Sequence, residues 1–229
     1  MNRAAGTVFI VDDAQAVRSG LARVLGAAGY QVRSFESAER YLEVHEARDC
    51  EEPGCLLLDI CMPGMSGLDL QRALADSARS RPIVFLTGYG DIQKGVDAMK
   101  AGAVDFLTKP IDGARLIAAV DEALRVDAAE RDERALRHLI RRRLATLTYR
   151  ERQVMEQVTR GKLNKQIAVQ LGIGEKTVKV HRARVMSKMT VRSVPELVHL
   201  AARVGIANEI PLAEGWVLPA QQIQANGKS

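Results

Sequence analysis

The apolar run at residues 55–58, followed by Asp59 and the Pro63-Gly64 breaker, constrains the fold of this chain more than any other feature. An apolar run this short, bounded by a turn signal, is typical of a central strand buried on both faces. Asp59 would then stand at the carboxyl end of that strand, the edge of an open α/β sheet where ligands bind. An isolated aspartate before Pro-Gly is usually a turn or helix-capping residue, so the residues after the other strands decide between these interpretations.

Strand-like runs alternate with amphipathic helical segments throughout the first half of the chain. The predicted strands cover residues 7–11, 30–35, 55–58, 82–86 and 104–107, and helices follow them at residues 16–29, 38–44, 68–78, 91–100 and 112–124. Five strands alternating with five helices predict an α/β doubly wound, five-stranded parallel sheet that is covered on both faces.

Five polar residues stand after the first, third, fourth and fifth predicted strands. Asp12 and Asp13 follow the first strand, Asp59 the third, Thr87 the fourth and Lys109 the fifth. Because parallel strands end at one edge of their sheet, these side chains are expected to converge. Three carboxylates form a hard oxygen site that suits Mg²⁺ (or Mn²⁺). A metal-neutralised carboxylate can attack phosphorus and give an aspartyl phosphate, for which a hydroxyl and an ammonium supply a donor and a counter-charge.

Charge is divided unevenly along the 229-residue chain, whose length suits two modest domains. Residues 1–125 contain 14 Lys and Arg against 18 Asp and Glu, whereas residues 126–229 contain 19 against 10. An acidic half followed by a basic half is expected of a regulatory domain joined to a nucleic-acid binder, although a basic face is more often simply solvated.

The composition also excludes several classes of protein. There is no apolar run of about 18 residues and no basic stretch followed by an apolar core near residue 1, so we expect neither a membrane span nor a signal peptide. Cys50, Cys55 and Cys61 lack metal-ligand spacing and suit a reducing compartment. We therefore expect a cytoplasmic protein that does not associate with membranes.

The motifs of the first half resemble the receiver domain of two-component response regulators. The resemblance covers about residues 6–124, and it is carried by Asp12-Asp13, the Leu-Leu-Asp-x-x-Met-Pro-Gly-Met-Ser-Gly run at residues 57–67, Thr-Gly-Tyr-Gly-Asp at residues 87–91 and Lys109-Pro110. It implies that Asp59 accepts a phosphoryl group from a partner histidine kinase, which docks near residues 17–21. It also implies that Asp12, Asp13, Asp59 and the carbonyl of Cys61 surround Mg²⁺, and that the peptide before Pro110 is cis.

The same resemblance implies how phosphorylation is transmitted. Thr87 and Phe106 correspond to a threonine and an aromatic residue that rotate together, although a purely structural phenylalanine is the commoner case. Tyr89 stands where close relatives usually have histidine, which leaves the lifetime of the acyl phosphate open. The surface around Val96, Met99 and Lys100 corresponds to the phosphorylation-dependent dimer contact of relatives.

Residues 125–145 are dense in charge, with opposite charges at i, i+3 and i+4 spacing and no Pro or Gly. This pattern predicts a helical linker at residues 125–143 rather than a flexible one. A narrow apolar stripe formed by Leu136, Leu139, Ile140 and Leu144 is expected to pack on the second domain or on a second copy of itself.

A helix-turn-helix unit is predicted in the basic half. Thr148 and Glu151 form a capping box that begins a first helix, Asn164 caps a second, and a third covers residues 175–189. Val178 and Val185 lie on the inward stripe of that third helix, while basic residues occupy the rest, where they can neutralise DNA phosphates. A basic helical bundle without a ligand is the alternative.

The second half also resembles the LuxR-type DNA-binding domain, over about residues 144–205. The motifs are Leu-Thr-x-Arg-Glu-x-x-Val-Met from residue 147, Gly-x-x-Asn-Lys-x-Ile-Ala from residue 161 and Lys-Thr-Val-Lys-Val-His from residue 176. Together with the receiver resemblance, they indicate a response regulator of the FixJ/NarL family with an all-α four-helix second domain. The implied DNA contacts are Lys165, Lys176, Thr177, Lys179, Val180, His181, Arg182, Arg184 and Lys188.

The sequence therefore predicts a transcription factor that phosphorylation of Asp59 activates, by promoting dimerisation and operator binding. Its expected partners are a sensor histidine kinase, double-stranded promoter DNA, a second copy and RNA polymerase. Self-phosphorylation and autodephosphorylation are its only expected chemistry. One alternative is a phosphatase, but phosphatases with an aspartate nucleophile usually have a second acidic residue two positions later, where this chain has Cys61. The other alternative is a phosphate-independent regulator whose receiver serves only as a dimerisation scaffold. Residues 206–229, which include Trp216, are expected to be a partly disordered tail.

Overall fold

A computed structural model describes residues 6–47, 52–75, 81–88 and 92–206 of the chain. Tyr89, Cys50 and the predicted tail from residue 207 onward lie outside the described residues. The chain forms two compact units, which divide between Glu133 and Arg134.

The first unit is built on a five-stranded, all-parallel sheet. Its strands are β1 (Thr7–Val11), β2 (Gln31–Phe35), β3 (Gly54–Asp59), β4 (Ile83–Thr87) and β5 (Asp105–Thr108), in the spatial order β2-β1-β3-β4-β5. β1, β3 and β4 are buried at every residue, as the continuous apolar runs require of strands covered on both faces. The register pairs Val11 with Leu58, and Thr87 with Thr108, so the carboxyl ends of these strands lie side by side.

Helices cover the sheet on both faces and confirm the doubly wound architecture. They are α1 (Gln15–Ala27), α2 (Ala38–Ala47), α3 (Gly67–Ala75), α4 (Ile92–Lys100) and α5 (Gly113–Ala145). Alternate side chains of each central strand enter opposite apolar layers. Leu57 packs with residues of α1 and α5 in one layer, and Leu58 packs with residues of α2 and α3 in the other.

α5 is one continuous helix of 33 residues. The sequence predicted a receiver helix that ends at residue 124 and a separate helical linker, but nothing between them breaks the helix, because the charged stretch has high helix propensity throughout. Each end belongs to a different unit: the buried carboxylate of Asp127 accepts a hydrogen bond from the Gly54 amide at 3.0 Å, whereas Ile140 and Leu144 lie in the core of the second unit. Within the described residues, no helix has the length and apolar character needed to cross a membrane.

The described part of the second unit contains four further helices, as predicted. These are α6 (Tyr149–Thr159), α7 (Asn164–Leu171), α8 (Glu175–Met189) and α9 (Val194–Arg203). The capping box of Thr148 and Glu151 is confirmed, and Gly172 ends α7 in the left-handed conformation that favours glycine. The predicted cap at Asn164 is wrong: Leu163 precedes the helix, and the Asn164 side chain instead accepts a hydrogen bond from Arg182 of α8 at 3.0 Å.

Candidate functional site

Asp59 ends β3 at the carboxyl edge of the sheet and is 5% exposed. Its two carboxylate oxygens have different partners. Oδ2 accepts a hydrogen bond from the Cys61 amide at 3.0 Å, and Oδ1 accepts one from the Lys109 ammonium at 2.7 Å. The end of β3, the Cys61 amide and the Lys109 ammonium therefore hold this carboxylate at the rim.

Lys109 also reaches Asp12, which follows β1, three positions from β5 in the sheet. Its Nζ lies 2.7 Å from Oδ2 of Asp12, which is fully buried, while the Asp12 Oδ1 accepts a hydrogen bond from the Ala14 amide at 2.9 Å. β5 lies two strands away from β3, and the long lysine side chain spans that distance. One ammonium thus bridges two buried carboxylates, and the peptide that follows it, Lys109-Pro110, is cis.

The charges at this rim do not balance. Burial raises the pKa of Asp59, and the hydrogen bond and charge of Lys109 offset only part of that effect, because the Asp12 charge also raises it. Burial acts to lower the pKa of Lys109, but the hydrogen bonds and charges of Asp12 and Asp59 outweigh it and raise the pKa. Two carboxylates share one firmly protonated ammonium, so the rim retains excess negative charge that a cation can neutralise.

The oxygen atoms near this rim fit a hard cation. Asp13 is exposed beside the buried pair, and it lines a surface cavity of about 520 Å³ together with Cys61, Met62 and Pro63. As the side chains stand, no group of three acidic, His or Cys side chains in the described ranges is arranged to hold a metal ion. Carboxylates of the acidic residues and a backbone carbonyl are nevertheless the donor types that Mg²⁺ and Mn²⁺ prefer, with water completing the coordination.

Thr87 and Phe106 lie on the neighbouring strands β4 and β5. Thr87 is 2% exposed, and among the described residues its hydroxyl donates to the Gly88 carbonyl, at 3.3 Å, rather than to Asp59. Phe106 is half-buried on β5 and lies against Gly95 of α4, where a Cβ would be 3.5 Å from the ring. Phe106 therefore lies between the sheet and α4. Thr87 ends β4, the strand that pairs with β5.

In the second unit, α8 packs its inward residues on the core and presents a basic outer face. Val178, Val185 and Met189 are buried. Lys176, Thr177, Lys179 and Arg184 are exposed, as is Lys165 at the start of α7, and Val180 is 50% exposed. An outward face of cations with an apolar residue among them suits the major groove, where phosphates attract cations and thymine methyl groups contact apolar side chains.

Both units match known families. Residues 8–121 match the model described as a response regulator receiver domain, and residues 145–201 match the model of bacterial regulatory proteins of the luxR family. Over 204 residues the chain is 41% identical to response regulator protein TmoT of Ectopseudomonas mendocina, an alignment that covers 89% of this chain and 91% of that protein. The chain belongs to the FixJ/NarL family of two-component response regulators.

Other members of the family show the same likeness over nearly their whole length. The response regulator is 45% identical to transcriptional regulatory protein FixJ of Rhizobium meliloti over 200 residues, which are 87% of this chain and 96% of that protein. A solved structure of response regulator StyR is 46% identical, covers 87% of this chain and 100% of its own, and has a TM-score of 0.74. Full-length FixJ from B. japonicum is 39% identical, covers 89% and 98%, and has a TM-score of 0.54.

Three of the predicted DNA-contacting residues of the response regulator are half-buried, and two of them bond to residues outside α8. The Lys188 ammonium lies 2.6 Å from the Glu151 carboxylate, which is 2% exposed, and it also donates to the Thr146 carbonyl at 2.9 Å. Arg182 donates to Asn164, and His181 is half-buried. Sequence position alone did not reveal these contacts, because the partner residues come from other helices.

The different surroundings of Lys179 and Lys188 give a testable contrast. Lys179 is 66% exposed and lies only loosely near Glu175, at 3.8 Å. We expect Lys179→Ala to reduce the slope of log Kd against log salt by up to about 0.9, because an exposed ammonium in the groove displaces a condensed counterion even while it contacts a base edge. Lys188→Met destabilises the domain, but in the molecules that remain folded it should leave that slope unchanged, since the Lys188 charge is already paired with Glu151. Fluorescence anisotropy with labelled promoter DNA at several salt concentrations measures both slopes, and an equal reduction in both would contradict this assignment.

The predicted dimer contact lies on the outer face of α4. Val96 and Met99 are each 38% exposed, and Lys100 is exposed beside them. On the inner side, Gly95 and Ala98 are buried, and Gln71 of α3 donates to the Ala98 and Ala101 carbonyls at 3.3 and 3.2 Å. The exposed apolar residues are available for an interface because the opposite side of the helix is the one that packs on the sheet.

Sequence reasoning missed several residues that support these sites. Arg18 of α1 donates to the carbonyls of Asp12 and Asp13, and Glu39 of α2 accepts a hydrogen bond from the Met65 amide at 2.9 Å. Glu151 was recognised as a capping residue but not as the partner of Lys188. The position of Arg18, a charged residue in the first helix soon after the acidic pair, was the available signal. That position did not identify the atoms that its side chain contacts.

Proposed function

We propose that this protein is a transcriptional regulator controlled by phosphorylation of Asp59. The observation that carries the proposal is the Lys109 ammonium, 2.7 Å from both Asp59 and Asp12 at the carboxyl edge of the sheet. An ordinary surface lysine has no reason to bridge two buried carboxylates from other strands. Its position here supports a rim that binds a negatively charged group. A phosphoryl group on Asp59 would meet a cation that is already in place.

The proposed phosphodonor is a histidine kinase. A carboxylate oxygen of Asp59 attacks the phosphorus of the phosphohistidine; the new O–P bond forms as the P–N bond breaks, and its electron pair leaves with the imidazole. Asp12, Asp13, Asp59 and the Cys61 carbonyl would hold Mg²⁺ or Mn²⁺, which neutralises the carboxylates and the incoming phosphoryl oxygens when bound. The Lys109 ammonium donates to a phosphoryl oxygen, and attack by water later regenerates Asp59.

The proposed response involves the two strands next to the acceptor. A phosphoryl group on Asp59 offers a new acceptor for the Thr87 hydroxyl, whose present bond to Gly88 is long at 3.3 Å. Movement of that side chain would free space for Phe106, which lies between β5 and α4. Because α4 carries Val96, Met99 and Lys100, a change at its inner side would favour the dimer.

The dimer would bind promoter DNA through α8 of each copy. Lys179 and Val180 are proposed to contact base edges, with Arg184 beside them, while Lys165, Lys176 and Thr177 hold phosphates. RNA polymerase is a further proposed partner. Because the kinase's phosphohistidine and the promoter are both cytoplasmic, we place the protein in that compartment.

A mass and sizing experiment tests this function. Purified wild type and Asp59→Asn are incubated with acetyl phosphate and Mg²⁺, weighed intact, and then run on a sizing column. We expect one phosphoryl adduct and a shift toward dimer for wild type, and neither change for Asp59→Asn, whose amide is not a nucleophile. Tight promoter binding by a wild-type protein that shows no adduct even at early times would refute phosphorylation control and leave a constitutive DNA-binding protein.

A further inference from the structure

Arg18 holds the backbone of the acidic pair. A single guanidinium nitrogen, Nη1, donates to the Asp12 carbonyl at 2.7 Å and to the Asp13 carbonyl at 2.8 Å. The side chain is half-buried at the second turn of α1, so the guanidinium lies directly behind the loop from which both carboxylates project. Two short, charge-assisted hydrogen bonds to successive carbonyls restrict the rotation of both peptide groups.

Backbone hydrogen bonds hold the residues on either side of Asp13. The Asp12 amide donates to the Phe35 carbonyl at 3.3 Å, and the Ala14 carbonyl accepts from the Val17 and Arg18 amides at 3.1 Å. Ala14, at the N-cap of α1, has no side chain that could cap the helix. The Ala14 amide donates to the Asp12 side chain, which fixes Asp12, but Asp13 is exposed. The bond from the Arg18 side chain to the Asp13 carbonyl adds a direct restraint on the exposed member of the pair.

We infer that Arg18 is a positioning residue for the divalent cation: by fixing both carbonyls it directs the Asp12 and Asp13 carboxylates toward the rim. This inference rests on the proposed function, in which that rim binds Mg²⁺. Outer-shell residues that orient metal ligands typically change metal affinity by about 10- to 100-fold when they are replaced.

Charge and orientation make opposite predictions for Arg18. A guanidinium close to the site repels a divalent cation, so removing its charge alone would strengthen cation binding. Removing the two hydrogen bonds would release the loop and weaken binding. The direction of the change in affinity therefore distinguishes a positioning role from a purely electrostatic one.

Calorimetric titration of Mg²⁺ into the full-length protein, with no phosphodonor present, tests this inference. We expect about 10-fold weaker binding for Arg18→Gln and an intermediate affinity for Arg18→Lys, whose ammonium keeps the charge and can donate to one or both carbonyls. Arg23→Gln removes the same charge from an exposed position on the same helix and should leave the affinity within about twofold of wild type. Thermal melting in EDTA should show that all four proteins are folded.

Rates of phosphorylation by acetyl phosphate provide a second readout. At saturating Mg²⁺ the rate of Arg18→Gln should approach that of wild type, while the Mg²⁺ concentration for half-maximal rate increases about 10-fold. Equal or tighter Mg²⁺ binding by Arg18→Gln would overturn the positioning role and leave the proposed function intact. Absence of Mg²⁺ binding by wild type would instead overturn the proposed function itself.

Discussion

Lys109→Met is expected to slow phosphorylation of Asp59 by about 100-fold or more, because the transition state loses its preorganised cation. The same change removes the one ammonium shared by Asp12 and Asp59, which are 0% and 7% exposed at their side chains. Leaving buried carboxylates without a counter-charge typically costs about 3–5 kcal/mol. The variant should therefore also unfold at lower temperature or urea concentration than wild type at neutral pH.

The stability loss in Lys109→Met should depend on pH in a defined direction. Burial already raises the pKa of Asp59, and removing Lys109 takes away the main opposing influence, so the folded pKa moves further above the unfolded one. A group of this kind destabilises the fold increasingly as pH rises from its ordinary pKa through the raised one. The difference in stability between variant and wild type should thus shrink on acidification.

Mg²⁺ and a matched variant make the Lys109 experiment specific. Millimolar Mg²⁺ should recover part of the lost stability, since it binds the folded carboxylates and not the unfolded chain. Arg23→Met, which removes an exposed cation of the same unit, should melt like wild type. Urea unfolding of the three proteins between pH 5 and 8 measures the effect, and a pH-independent difference would contradict the shared-ammonium explanation.

Lys188→Met is expected to destabilise the DNA-binding domain by about 3–5 kcal/mol, because it leaves the buried Glu151 carboxylate without its cation. Glu151→Gln keeps the shape and one oxygen for the Thr148 amide, and should cost about 1.5–3 kcal/mol. The double variant should be more stable than the sum of the two losses predicts, since neither charge remains buried alone. Hydrogen exchange of α6 and α8 in the full-length chain measures each loss, and simple additivity would argue against the pair.

Lowering the pH should destabilise the second unit, as Glu151→Gln does, because protonation also removes the Glu151 charge. Its hydrogen bonds from Lys188 and the Thr148 amide lower the pKa of Glu151 from 4.5 to about 2. A carboxyl group with a lowered folded pKa contributes stability that is fully present above pH 4.5 and is lost as the pH falls toward 2. Protection of α6 and α8 should therefore decline through this range in wild type, with a smaller decline in Glu151→Gln.

The sheet and most of the rim were predictable because they depend on chain order. Asp59 and Thr87 end their strands, while Asp12 and Lys109 come directly after theirs. Parallel strands joined by helices end at one edge whatever else the chain contains. The predictions of fold class and family are confirmed. The continuity of α5 was missed because both of its halves look like complete helices, and only the absence of a breaker at residues 124–126 distinguishes one helix from two.

The side-chain contacts of the basic helix were less predictable. Periodicity distinguishes the buried Val178 from the exposed Lys179, but it does not tell whether a cation at the edge of the apolar stripe faces solvent or another helix. Lys188 is such a residue, and its direction is set by Glu151 on α6, 37 residues earlier. Arg18 is similar, since its partners are backbone carbonyls, which every residue has.

The bridge from Lys109 to Asp59 and Asp12 can form only after residue 109 has been synthesised. Lys109 is 97 residues from Asp12 and 50 residues from Asp59. While residue 109 is still inside the ribosome, the nascent chain exposes the acceptor and the acidic pair without their counter-charge. Such long-range contacts close late in folding, because the whole intervening chain must be ordered first. Under the proposed function, phosphorylation that needs the Lys109 ammonium would therefore be confined to molecules whose first unit is complete.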